Sequence, residues 1–389
     1  MEGHPTRGPV EDQSTALWGG LDAGVHLWSL VVLDWQWLAG ATRMLGMSCD
    51  AMMKIKLVAL MAIGILAHGV ARAETCITQS AMTATERDAL ATAARSLAAK
   101  VQAGDASGLR AATVPEYAKD FGGIGDVVAS TAPKLKGGTL TVEQVYVLDA
   151  SELKRAADGS ASDAQFFCSL NHSIAEADFL IPGLIPGRYG FAIVDVTNTP
   201  APWRLSFLLR QDPGGWAMAG FYPKPMTAAG HDGLWYWTQA RTMAARKEHW
   251  NAWLYYQQAE SLLRPTNFIQ STHLEKLHTE QAAATPTPVS DGVGPDNPLV
   301  VKGADGAEYR FTGLGVDDSL GKDKVDIIAH LKVDQIGDPA AARKRNSDAM
   351  VALLAAYPEM RKPFHGVWVF SEEAGKNPFA TEQPMEEIR

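Results

Sequence analysis

The sequence predicts an α+β fold, and three observations carry that prediction. Residues 83–103 place their apolar side chains at helical spacing. From Gly138 to Tyr222 the apolar period changes to two, as in half-buried strands. Beyond residue 298 both patterns return on a smaller scale, after a stretch rich in proline and glycine. Helices first and then a run of antiparallel strands is the order of an α+β domain, not of alternating βαβ units.

The chain of 389 residues carries a net charge of −9. Its first recognisable signal is Met52–Ala73. Lys54 and Lys56 form a positive n-region, Leu57–Leu66 an apolar h-region, and Ala71-Arg72-Ala73 a small-residue cleavage site before Glu74. The apolar run is short of the roughly 20 residues a membrane span needs. Residues 52–73 therefore read as a signal peptide, and residues 1–51 as an extension from a misassigned start codon. The competing reading keeps the N-terminal tail and makes 57–70 an uncleaved anchor. Cleavage after Ala73 leaves 316 residues (389 − 73), with 30 basic (35 − 5) and 38 acidic (44 − 6) side chains. A net charge near −8 argues against nucleic acid as a partner, which calls for a concentrated basic face. A periplasmic or secreted location with no stable membrane span follows from the same reading.

Cys49 lies in the extension, which leaves Cys76 and Cys168. In an oxidising compartment they can pair. The alternative is one buried and one terminal free thiol.

Thr83-Ala84-Thr85-Glu86 is a capping box that opens the first helix, and Gly104 stops it. A less regular helical region follows between Ser107 and Ala132, interrupted by Pro115 and Gly122-Gly123. Strands are then expected at 139–149, 165–170, 177–181, 188–196, 203–211 and 215–222. Tyr189, Phe191, Ile193 and Asp195 share one strand face, and Asp212-Pro213-Gly214-Gly215 is a hairpin turn.

This order, with the final strand pair WRLSFLLRQDPGGWAMAGFY, resembles the NTF2-like (cystatin-like) superfamily over residues 84–224. The resemblance implies N-terminal helices on a curved antiparallel sheet over 74–225, with a pocket-shaped cavity. It fixes no chemistry, because one fold hosts many functions.

Residues 226–281 carry the densest aromatic stretch, with Trp235, Trp237, Trp250, Trp253, Tyr255 and Tyr256. Ala240, Ala252, Tyr256 and Ala259 lie at the small and aromatic positions of a tetratricopeptide repeat, and Pro265 falls where that motif ends. The stretch resembles a single TPR-like hairpin. A solenoid needs about three stacked repeats, so a hairpin capping the sheet domain is expected.

Residues 282–298, AAATPTPVSDGVGPDNP, read as an extended linker and the domain boundary. Beyond it, 299–389 reads as a β-β-β-α-β domain, with Asp338-Pro339 opening its helix and Phe364–Ser371 as the final strand. The two halves are expected to fold independently.

Two functional readings follow. The leading one is a non-catalytic binding or scaffolding protein of a bacterial-type cell envelope, with Trp235, Trp237, Trp250 and Trp253 as the binding surface, since tryptophan concentrates where binding energy does. Tryptophan is equally a core filler. The alternative is a small-molecule-binding protein, or a lyase or isomerase-type enzyme, using a pocket with His172, Asp178, Tyr189 and Asp195, where a His–Asp pair would act as base and orienting acid. Loop polarity and a satisfied Asp explain the same residues. His273 and His278 are spaced one residue wider than a helical zinc pair. With no nucleotide, haem or C-x-x-C motif in the sequence, neither a cofactor nor a metal is expected.

Overall fold

The structure, a computed structural model, describes residues 74–156, 158–170 and 175–389. The expected extension (1–51), signal peptide (52–73) and His172 lie outside the described residues.

Strand β1 (Thr75–Thr78) leads into helix α1 (Ala84–Ala103). One half of the capping box forms, the Thr83 side chain accepting from the Glu86 N–H, while the Glu86 carboxylate pairs with Arg188 instead of returning to the cap. Gly104, at φ 69°, closes the helix in the left-handed conformation, its N–H bonding back to Lys100 and Val101. One face of α1 buries Leu90, Ala94, Leu97, Ala98 and Val101. The irregular region resolves into α2 (Ala106–Ala111), α3 (Pro115–Ala118) and α4 (Gly122–Leu135). Proline sits at the start of α3, where a missing N–H costs no hydrogen bond.

Strands β2 (Thr139–Ala150), β5 (Gly187–Thr197), β6 (Trp203–Asp212) and β7 (Gly215–Pro225) join β1 in a five-stranded sheet of order β1-β2-β5-β6-β7. All its neighbours are antiparallel. The turn at Asp212–Gly215 closes β6 on β7, with Gly215 at φ 113°. The two-residue period decides what each face meets. Ala192, Val194 and Val196 of β5 pack in one core with α1 and its companions. Tyr189, Phe191 and Ile193 face a second core. Gly190 lets α1 approach, since a Cβ there would lie 2.5 Å from a Leu90 methyl.

The second core is closed by a three-stranded sheet of order β10-β4-β3, from β3 (Ser162–Ser169), β4 (Glu176–Leu184) and β10 (Ile269–Ser271). Cys76 of β1 and Cys168 of β3 form a disulfide that joins the two sheets, Cα atoms 5.4 Å apart. The pairing reading of the two cysteines holds.

After the short pair β8 (Thr227–Ala228) and β9 (His231–Asp232) come α5 (Gly233–Ala245), α6 (His249–Leu263) and α7 (Thr272–Ala284). The small helix α8 (Thr287–Ser290) precedes a second five-stranded sheet of order β11-β12-β13-β14-β15. Its strands are β11 (Leu299–Lys302), β12 (Glu308–Asp317), β13 (Asp326–Lys332), β14 (Gly366–Glu372) and β15 (Phe379–Pro384). Only β13 and β14 run parallel among these neighbours. A parallel pair needs a crossover, and α9 (Pro339–Ala356) supplies it, opened by the Asp338 carboxylate on the Ala340 and Ala341 N–H groups.

The α+β class stands, and four details differ from expectation. The C-terminal segment has an additional strand, β15, beyond the Phe364–Ser371 strand expected as the last. β10 returns after the hairpin to complete the small sheet of the first region. The hairpin does not cap that region: Tyr236, Trp250 and Tyr256 lie in one continuous core with Phe311, Ile327, Leu353 and Val369 of the C-terminal segment. Finally, 282–298 is not an extended tether. Val289 and Val293 pack on that shared core, and the Asn297 amide donates to the Asp291 and Gly292 carbonyls. Local side-chain bonds satisfy backbone that the Pro/Gly composition leaves without a helix or sheet.

Candidate functional site

The space around Tyr189 and Phe191, where a pocket is expected, is filled. Tyr189 and Phe191 are fully buried. Tyr146, Phe179, Phe191 and Phe268 stack edge-to-face in series, with ring centroids 5.1 to 5.8 Å apart. The Tyr189 hydroxyl donates to the Ile185 carbonyl at 2.8 Å. Burial pushes the Tyr146 and Tyr189 phenols up to about 12, so both stay neutral near pH 7. Asp195 is engaged by the Arg204 guanidinium at 3.2 Å. Asp178 sits on β4 beside Phe179, and the pleat turns it to the opposite face from the aromatic stack. Burial first, and then the negative charges of Glu176 and Glu275, raise its carboxyl above the usual range. The alternative site is thus not brought together around a cavity: Tyr189 and Asp195 belong to one sheet and Asp178 to the outer face of the other.

The four tryptophans do not form one surface either. Trp235 is half-buried and stacks on His231 at 3.8 Å. Trp237 is buried against α7, its indole N–H donating to Glu280 at 2.7 Å while the Arg241 guanidinium lies over its ring at 4.5 Å. Arg241 holds the Glu280 carboxyl below the usual carboxylate range; burial opposes this and the Trp237 bond adds to it. Trp250 and Trp253 meet edge-on at 6.0 Å, and Trp250 also packs on Tyr357 at 4.8 Å.

The Trp250–Tyr357 contact borders a cleft of about 400 Å³ where the start of α6, the end of α7, α8 and the end of α9 meet. Its walls include His249, Trp250, Pro286, Pro288, Tyr357 and Pro358. The floor is fixed by long-range bonds. Glu359 accepts from the Trp250 backbone N–H at 2.7 Å, so a carboxylate from the 3₁₀ turn Pro358–Arg361 caps the N-terminus of α6. The Asn251 amide donates to the Glu359 carbonyl at 2.8 Å, and the Tyr255 hydroxyl to the Pro363 carbonyl at 3.2 Å. Burial raises both phenols at this seam, Tyr357 and Tyr255, the latter to about 12. His249 stays at the rim with Nδ1 3.2 Å from the Ala284 carbonyl.

Of the predicted binding residues, only Trp250 reaches this cleft. The sequence reading missed Tyr357, Pro286 and Pro288. The prolines fall in the expected linker, and Tyr357 directly follows α9. The signal available was an aromatic directly before proline at Tyr357-Pro358, beside a second proline cluster; nothing in one sequence says that the two meet. Rigid prolines and aromatic rings around an open groove suit an extended peptide backbone, whose ordering entropy is low when it is itself proline-rich.

Comparison with protein-family models, with curated proteins and with solved structures finds no match to this chain.

Proposed function

We propose that this chain is an exported, non-catalytic binding protein of a bacterial-type cell envelope, periplasmic or secreted, and that the cleft beside Trp250 and Tyr357 takes an extended segment of a partner protein. The observation that supports this reading is the cleft itself: two aromatic rings 4.8 Å apart, flanked by prolines and held by the capping of α6 from Glu359. Two coarser facts are compatible with an exported protein. Cys76 and Cys168 are bonded, which suits an oxidising compartment, and no helix among the described residues is long and apolar enough to cross a membrane. The NTF2-like reading remains a proposal for the first region. Its enzymatic version loses support from the complete burial of Tyr189 and Phe191.

The test is a photo-crosslinking residue placed at the exposed Thr287 of the cleft rim, in the native envelope, with the exposed Ser130 of α4 as control position. One predominant protein adduct at 287 and none at 130 supports the reading. The same adducts at both positions, or none at 287, contradicts it.

A further inference from the structure

At one end of the second sheet, three metal-ligating side chains from adjacent strands converge. Asp326 opens β13, His365 directly precedes β14, and Glu382 lies on β15 opposite Trp368. A donor atom from each lies within 4.8 Å of the other two. Asp326 is 1% exposed. One of its oxygens is 3.0 Å from His365 Nδ1, and the other accepts from the Trp368 indole N–H at 3.1 Å.

Glu382 has no such arrangement. Its Oε1 is buried and has no hydrogen-bond partner among the described residues. A buried charged oxygen left unpaired is costly. A Cβ on Gly366 would lie 2.6 Å from the Gln383 carbonyl, 3.1 Å from Glu382 Oε1 and 3.2 Å from Asp326 Oδ1. Two carboxylate oxygens therefore border the same small space, kept open by a residue without a side chain. The imidazole can share only one Nδ1 proton, and Asp326 is placed to take that bond. The other charged groups facing Glu382 are Lys324 and Glu387, of opposite sign. Burial, and next the Asp326 charge, push the Glu382 carboxyl above its usual range, which is consistent with a site short of positive charge.

We propose that Asp326, His365 and Glu382 form a binding site for one divalent transition-metal ion, zinc in the first place and manganese as the alternative, which stitches β13, β14 and the last strand β15 together. The donor set decides the ion class. One imidazole nitrogen with two carboxylate oxygens suits zinc or manganese, whereas calcium and magnesium take oxygen shells and copper(I) takes sulfur. Water completes the shell, as it does wherever the protein supplies only three donors. Binding takes the neutral His365 tautomer that carries its proton on Nε2, which leaves the Nδ1 lone pair for the metal in place of the bond to Asp326. The donors form no local motif, being 39 and 17 (382 − 365) residues apart.

The test uses the full chain, stripped with a chelator and titrated calorimetrically with zinc chloride and, separately, manganese chloride. Glu382→Gln and His365→Gln are compared with wild type, and Glu372→Gln, in the surface pair with His330, is the control. The expected result is one equivalent bound by wild type and by the control, with affinity at least about tenfold lower in both site variants. X-ray absorption of the zinc-loaded wild type should show a nitrogen and oxygen shell that includes imidazole, a readout that needs no variant to fold. No stoichiometric uptake by wild type, equal affinity in Glu382→Gln, or a sulfur-containing shell would overturn the proposal.

Discussion

Residues 75–225 and 227–389 are each built on a five-stranded sheet, yet their parts are tied together by different means. In the first region, helices cover one sheet face, a small sheet covers the other, and the Cys76–Cys168 bond fastens the two sheets to each other. In the second there is no disulfide among the described residues. The helical hairpin is held to the sheet segment by apolar burial and by bonds that span about a hundred residues, such as Asn251 to Glu359 and Tyr255 to Pro363. The second must rely on one core shared by elements that lie far apart in sequence. A core of that kind cannot be divided without exposing apolar surface on both pieces.

The two regions should separate most strongly when the disulfide is reduced. Its cysteines are 92 residues apart, and closing a loop of that length is worth about 4–5 kcal/mol in the chain-entropy model. Reduction is expected to lower the stability of the first region while amide protection in β12, β13 and β14 persists, as read by hydrogen exchange. Loss of protection in both regions together would show that they unfold as one.

The shared core is the next target. Leu353 of α9 is fully buried in it, and Leu353→Ala is expected to cost about 3 kcal/mol. The informative outcome is where protection falls. It should fall in α5 and α6 as well as in β13 and β14, because both pack on the same cluster. A loss confined to the sheet would place the hairpin elsewhere.

A smaller effect is expected at the seam of the cleft. Glu359→Ala removes the carboxylate that caps α6 through the Trp250 N–H and should cost about 1 kcal/mol, like other lost N-terminal caps. Chemical denaturation of this variant measures it. The smallest effect is on pH. Arg241 holds the Glu280 carboxyl below its unfolded value. Its contribution is therefore fully present above the ordinary glutamate pKa of about 4.3 and is lost as pH falls through the lower folded value. The Trp237 indole N–H resonance should stay constant from pH 7 to about 5 and shift below that. Glu280→Gln should abolish the low-pH step.

What was legible in the sequence was local. Thr83 and Glu86 announced the start of α1, Asp212–Gly215 announced the β6–β7 turn, and the alternation in β5 told which side chains share a face. Asp338-Pro339 announced α9. The pairing of Cys76 with Cys168, expected of an exported chain, is present. What could not be read was the meeting of distant pieces. Pro286 and Pro288 look like linker because no helix or strand pattern covers them, yet they wall a cleft with Tyr357. β10 is three residues long, too short for any period to register. Asp326, His365 and Glu382 carry no spacing that links them. The tryptophans were visible as a cluster in sequence, but helical rotation sends Trp237 toward α7 and Trp250 toward the C-terminal segment, so sequence density did not mean one surface.

The central claim is that the helical hairpin and residues 299–389 share one core and hold together without the intervening chain. Limited proteolysis within 291–298, followed by size-exclusion chromatography under native conditions, tests it directly. The nicked protein is expected to elute as a single particle at the position of the uncut chain, separating into two fragments only in denaturant. A 299–389 fragment that elutes alone, folded and monomeric, would contradict the shared core and restore the flexibly tethered domain that the sequence suggests.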